Sequence, residues 1–213
     1  MLPTRLHRTQ AERSARTRVA LLEATIESLA EVGYARTSTT EIVRRAGVSR
    51  GAQVHHYPTK ADLVVAAVEH LFSRQEQAFV EQFTSLPAGE RSLDRAIELL
   101  WSIFTGAAYP AALELVVAAR TDDDLRVVVQ AVGTRFERTV SGLFAELFPN
   151  YAGRPFADHL VGFAFAVLQG AAISGYGGFG RPDDAVAMLR SLAHLVTPEL
   201  LPVLERINDA PEP

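Results

Sequence analysis

The chain has 213 residues, 48% apolar and 22% charged, with no cysteine; that is enough apolar side chain for one or two packed cores, too much for a disordered or collagen-like chain, and nothing for a disulfide scaffold, a thiolate metal site or a cysteine nucleophile. The formal charge of −4 hides a division, since residues 1–60 carry ten Arg and Lys against five Glu, a balance of +5, whereas residues 61–213 carry eleven against twenty, a balance of −9. A basic head on an acidic body directs any polyanionic partner to the head, and Arg5, Arg8, Arg13, Arg16 and Arg18 with no apolar run among them argue against a secretory signal, so the cytoplasm is the expected compartment.

In chain order the apolar period is helical nearly everywhere and no segment alternates at period two, which predicts an all-α fold. Thr9 and Glu12 have capping-box spacing, Leu22, Ile26 and Leu29 follow at i, i+4, i+7, and Gly33 stands as a stop, predicting a first helix over residues 10–32. Ser38 and Glu41 open a short second helix through Ile42, Val43 and Ala46 that ends at Gly47. Ser49 caps a third that Pro58 must stop. Thr59 and Asp62 cap a fourth, whose Leu63, Ala67, Val68, Leu71 and Phe72 form one stripe and which runs to about residue 83. Beyond Pro87 longer helices are predicted near 92–105, 110–120, 122–148, 155–174 and 182–207, the last interrupted around Pro198 and Pro202. Asp122, Asp123 and Asp124 follow a possible Thr121 cap and read as acidic residues at a helix N-terminus rather than as a metal site.

Residues 160–180 are uncharged for 21 positions, the length of a membrane span. Six are glycine, and the breaker-rich Gly175–Gly180 segment would leave backbone groups unpaired in lipid, so no membrane partner is expected and the segment reads as a helix-to-helix turn. It lacks the lysine and hydroxyl ending of a phosphate loop.

The informative stretch is Ser38–Tyr57. Two short helices joined by a glycine-containing turn of about four residues form the helix-turn-helix pattern, whose second helix presents its N-terminal end to major-groove base edges. Positive charge concentrates here, the second helix carries Arg50, Gln53, His55 and His56 and reads as too polar to be buried, and Gly51 and Ala52 remove bulk where a backbone would approach phosphate. The adjacent His55 and His56, with no carboxylate or cysteine neighbour in sequence, read as packing and phosphate contacts rather than metal ligands.

The run from Thr39 to Leu63, TTEIVRRAGVSRGAQVHHYPTKADL, resembles the TetR family of bacterial transcriptional regulators, and the resemblance extends over residues 13–72. It implies an N-terminal three-helix DNA-binding domain, a helical C-terminal domain that dimerises and encloses a ligand pocket, and a fourth helix that couples them. At matching positions it implies that Thr39 and Thr40 donate to phosphate, that Ser49, Arg50, Gly51 and Ala52 open the recognition helix, and that His55, His56, Tyr57 and Lys60 contact backbone at its far end. Lys60 is the only lysine in the chain. Many relatives have a Leu-Tyr pair where Gln53 and Val54 stand; the missing tyrosine removes a phosphate contact, and Gln53 is expected to compensate by pairing with adenine N6 and N7.

The body is less informative. Trp101, Phe104, Tyr109, Phe136 and Phe163, with Gln169 as a polar group, are candidates to line an effector pocket, although aromatics at helical spacing also build cores. Gly162, Ala166 and Gly170 form a small-residue face, and with Leu189, Leu192 and Val196 on the final helix they are candidates for an isologous dimer interface. The expected organisation is a basic arm over 1–12, a helix-turn-helix domain over 13–72, a regulatory and dimerisation domain over 73–207 and a disordered tail over 208–213. The expected function is a homodimeric regulator of transcription, most simply a repressor, that leaves a palindromic double-stranded operator when a small, mostly apolar effector binds, with no cofactor, no metal and no enzymatic activity. A helical small-molecule-binding or structural protein without specific DNA binding is the alternative.

Overall fold

The computed structural model describes residues 9–151 and 155–195. Among them are nine α-helices, one short 3-10 turn (Ala88–Glu90) and no strands. The helices are α1 (Gln10–Arg36), α2 (Thr39–Ala46), α3 (Arg50–His56), α4 (Lys60–Ser85), α5 (Leu93–Thr105), α6 (Tyr109–Ala118), α7 (Asp123–Leu147), α8 (Pro155–Gly177) and α9 (Pro182–Leu195). The interruption expected around Pro198 and Pro202 and the 208–213 tail lie outside the described residues, as does most of the basic arm.

The chain divides into two compact units, one of residues 1–72 and 107–132, the other of 73–106 and 133–213. The first unit therefore takes in α6 and the start of α7, which the sequence places in the second domain. Burial explains the difference: α6 packs along α1, hiding Tyr109, Ala111, Ala112 and Leu115.

In the first unit every helix except α6, which starts after Ala108 with Pro110 in its first turn, begins where a side chain can hold its orphan N–H groups. Thr9 Oγ1 accepts from Glu12 N–H (3.2 Å) while Glu12 accepts from Thr9 N–H (2.9 Å). Ser38 caps α2 and Ser49 caps α3, accepting from Glu41 and Ala52 N–H, and Thr59 and Asp62 reciprocate at the start of α4. α7 is capped by Asp122, whose Oδ1 accepts from Leu125 N–H (3.0 Å), rather than by Thr121, which donates back to Ala118. Leu21, Leu29, Ile42, Leu63, Val64 and Val68 form the centre of the core. Arg45 ties α2 to α1 by pairing with Glu31 (2.6 Å) and Glu41 (2.7 Å).

Gly33 interrupts α1 at φ 78° and ψ 170°, a region essentially closed to residues with a Cβ. One further helical turn follows before the chain leaves at Thr37, so α1 outlasts its predicted end. The corner is held from three sides. Tyr34 N–H donates to Glu114 of α6 (3.0 Å), Tyr34 O–H donates to Asp122 (3.2 Å), and the Lys60 ammonium donates to the Tyr34 carbonyl (2.9 Å) while lying 4.5 Å from the ring centre.

Gln53 departs from expectation. It is 1% exposed, its Nε2 donates to the Tyr57 carbonyl, and its Oε1 has no hydrogen-bond partner among the described residues. An α3 that packs on α1 and α2 must turn one position inward, and that position is 53, so Gln53 cannot pair with an adenine edge.

The second unit comprises the later parts of α4 and α7 with α5, α8 and α9. Its core holds Phe79, Phe83, Leu100, Phe104, Phe136, Val140 and Leu168. Asp94 of α5 receives Arg190 (3.1 Å) and His194 (2.8 Å) of α9, and Arg190 holds the Asp94 carboxyl below the usual carboxylate range. The segment His159–Gly177 of α8 is long and apolar enough to cross a membrane by length and composition; here it packs on α5 and α9. α8 runs three residues past its predicted end before Gly178 and Gly180, both at positive φ, reverse the chain.

Replacing Gln53 by Leu removes the unpartnered buried oxygen while keeping the volume. The expected result is a gain of about 1 kcal/mol, with the thermal midpoint rising by about 2–4 °C. A fall in the midpoint on calorimetry would show instead that the Tyr57 hydrogen bond outweighs the buried oxygen.

Candidate nucleic-acid interface and internal cavity

The α2–α3 pair owes its shape to Gly47. This residue closes α2 in the left-handed region (φ 64°), with its own N–H and that of Val48 returning to carbonyls of the last turn. α3 then leaves Arg50, Gly51, Val54 and His55 exposed and turns Gln53 inward. Arg50 Nη1 donates to Thr39 Oγ1 (3.1 Å), which sets the first turns of α2 and α3 side by side, with Thr40 exposed next to them. Among the described residues a Cβ on Gly51 would meet only Ser49 Oγ, at 3.9 Å. Packing among them therefore does not require glycine there, and the bare backbone is open to an approaching surface. Ala52 is half-buried.

The electrostatics of this face come from arginine. Glu41 is held down to about 2, first by its hydrogen bonds from Arg44 and Arg45, so those two charges are engaged internally. Burial, His55 and Arg18 push His56 below its ordinary value, which keeps it neutral at pH 7, and its ring stands edge-on to His55 at 5.1 Å. Tyr57 is half-buried beside it. Lys60 is drawn below its ordinary value by burial and spends one N–H on Tyr34, so it anchors the head whatever else it touches. Among the described residues no group of three or more His, Asp or Glu could hold a metal ion.

The second unit contains a cavity of about 100 Å³. Its walls include Phe79, Phe83, Leu143, Phe144, Phe148 and Phe163, and among the described residues every lining side chain is apolar. Of the residues expected at a pocket only Phe163 lines it. Phe104 and Phe136 stack edge-on against Phe165 at 5.8 and 5.5 Å in the core. Trp101 is half-buried on α5 away from the cavity, Gln169 is exposed, and Tyr109 belongs to the first unit. The signal that marks the lining of this cavity is a pair of phenylalanines four apart, Phe79 with Phe83 on α4 and Phe144 of α7 with Phe148 just past its end, whose N–H still donates to the Phe144 carbonyl, which places two rings on one face of each turn.

The α8–α9 surface carries a separate feature. Phe163, Ala166, Gly170 and Ile173 are exposed at i, i+3, i+7, i+10 on α8, and Met188, Leu192 and Leu195 at i, i+4, i+7 on α9. Gly162 lies at its edge, half-buried near Glu137. Leu189 does not belong to this surface, being 6% exposed and turned into the cavity wall. Leu192 serves both surfaces, and Val196 lies outside the described residues.

Comparison with known proteins agrees with this geometry. The sequence pattern described as bacterial regulatory proteins, tetR family, matches residues 21–67. An HTH-type transcriptional regulator of Mycobacterium tuberculosis (strain ATCC 25618 / H37Rv) is 40% identical over 125 residues, 59% of this chain, and the chain spans 64% of that relative's length. The HTH-type transcriptional regulator CymR of Pseudomonas putida is 30% identical over 167 residues, 78% of this chain and 82% of the relative. Among solved structures, a TetR-family regulator from Cytophaga hutchinsonii superposes with a TM-score of 0.70 at 17% identity, covering 85% of this chain and 95% of that one. A transcriptional regulator from Saccharomonospora viridis in complex with choline superposes with a TM-score of 0.67 at 20% identity, covering 87% and 97%. Both relatives are described as HTH-type transcriptional regulators. With a matching helix-turn-helix head and 30% identity across most of a whole relative, the chain belongs to the TetR family of bacterial regulatory proteins.

Proposed function

We propose that this protein is a homodimeric transcriptional repressor that binds a near-palindromic operator through α3 and is released by a small, largely apolar ligand. The observation that carries the reading is the α2–α3 pair, with Arg50, Gly51 and His55 outward on the only basic part of the chain. On this reading Thr39, Thr40, Arg50 and Tyr57 meet phosphates, with Lys60 adding its remaining N–H groups. Electrophoretic mobility against a duplex enriched from random sequence tests it. Arg50→Ala should weaken binding about tenfold and lower the salt dependence by about two phosphates per dimer, one per protomer. Unchanged affinity and slope would remove α3 from the interface.

Two protomers are needed to read a palindrome, and the exposed apolar stripe on α8 and α9 supports a two-fold four-helix contact. Among the described residues nothing lies within 4 Å of the position a Gly170 Cβ would take, so Gly170→Arg is expected to leave the protomer fold intact and act on a partner. Sedimentation should then show a monomer with the helical content of the parent; an intact dimer would move the interface elsewhere.

The wholly apolar cavity supports an uncharged ligand of about the size of one aromatic ring with short substituents. A ligand that prefers the conformation with displaced recognition helices lowers operator affinity by its differential affinity for the two states. Ala164 lines the cavity, and Ala164→Phe should fill it. A panel of uncharged monocyclic compounds, with choline for comparison, should release the parent from its operator and leave the Ala164→Phe protein bound. Release of both alike would place the responsive site outside this cavity.

A further inference from the structure

Positions 53 and 54 reverse the usual arrangement of a half-buried helix, with the amide turned in and the aliphatic side chain turned out. Val54 is 45% exposed and shares the outward face of α3 with Arg50 four residues before it and His55 beside it. Among the described residues nothing covers the exposed part of it, and Gly51, one turn earlier on the same face, has no side chain to shield it. A β-branched apolar group in the middle of a basic, otherwise polar face is covered only by a partner that offers an apolar point within a polar, anionic surface.

The major groove offers one such point. Guanine shows N7 and O6, adenine N7 and N6, cytosine N4, and thymine O4 together with its C5-methyl group. Val54 has no hydrogen-bonding group to use on any of the others, and phosphate and sugar edges are polar. The missing Cβ at Gly51 lets the backbone approach closely enough for a side chain as short as valine to reach a base edge. We infer that Val54 is a specificity-determining residue that packs against the C5-methyl of one thymine in each operator half-site. The inference rests on the proposed DNA-binding function and goes beyond it by assigning one base pair to one side chain. Gln53 contributes from beneath, since its bond to the Tyr57 carbonyl holds the end of the turn from which Val54 projects.

The test uses the full chain and a duplex obtained by selection from random sequence. Each thymine of the selected duplex is replaced symmetrically by deoxyuridine, which removes one methyl group and leaves base pairing unchanged. For the parent protein, one position per half-site should lose about three- to tenfold in affinity per half-site. For Val54→Ala, exposed and therefore harmless to the fold, binding to the thymine duplex should already be weaker and the same replacement should cost little more. Selection that enriches no sequence overturns the DNA-binding reading and this assignment with it. A selected duplex on which no methyl matters, or on which Val54→Ala is penalised as much as the parent, overturns the assignment alone and leaves the DNA-binding reading standing.

Discussion

The first unit depends on the corner at Gly33 and Tyr34. A helix of 27 residues would otherwise run straight past the point where the helix-turn-helix has to begin, and only glycine admits the φ of 78° that turns it. Once turned, the freed backbone and side chain of Tyr34 become ligands for three other elements: the carboxylate of Glu114 on the amide, that of Asp122 on the phenol, and the Lys60 ammonium on the carbonyl and ring face. These contacts fix the start of α4 and of α7 and the middle of α6 against α1, and therefore how α2 and α3 are carried. They also cost little to form, because each charged group trades water for a charge-assisted hydrogen bond while part of it stays solvated. Burial raises the Tyr34 phenol above its ordinary value, and the Asp122 carboxylate adds to the rise, so the phenol remains a donor throughout the physiological range.

The same economy shapes the recognition helix. Seven residues provide too little surface for a core of their own, so α3 is held by a serine at one end, a glutamine amide at the other and a small inward face between them. The result is a short helix whose outer face is free of internal obligations. Among the described residues no packing explains Gly51 or the exposed part of Val54. Local rules tend to break at functional positions, and a surface glycine next to a surface valine on a basic face is such a break.

The second unit separates three uses of apolar side chains that a helical wheel superimposes. Phe79, Phe83, Phe144 and Phe148 line a partly open cavity, Phe104, Phe136 and Phe165 pack against one another, and Ile173, Met188 and Leu195 point outward. Phe163 and Leu192 do two of these at once, since they line the cavity while remaining 50% and 39% exposed. On the proposed reading, a partner covering α8 and α9 would also cover part of the cavity wall, and ligand occupancy and dimer packing would act on the same two side chains.

Helix boundaries, caps and breakers were readable from the sequence because they are local: Thr9 with Glu12, Ser38 with Glu41, Ser49 and Thr59 with Asp62 each act within one turn, and the glycines act through their own φ. The basic head was readable because charge is additive along a chain. Which way a side chain faces is not local. Gln53 and Val54 differ by about 100° around the same short helix, and a polar residue at 53 suggested an outward position until the packing of α3 on α1 and α2 turned it inward. The assignment of α6 to the first unit, the choice among aromatic residues for the cavity, and the burial of Leu189 beside an exposed Leu192 were likewise decided by contacts between elements distant in sequence. An apolar period says that a helix has a covered face, and only the tertiary structure says what covers it.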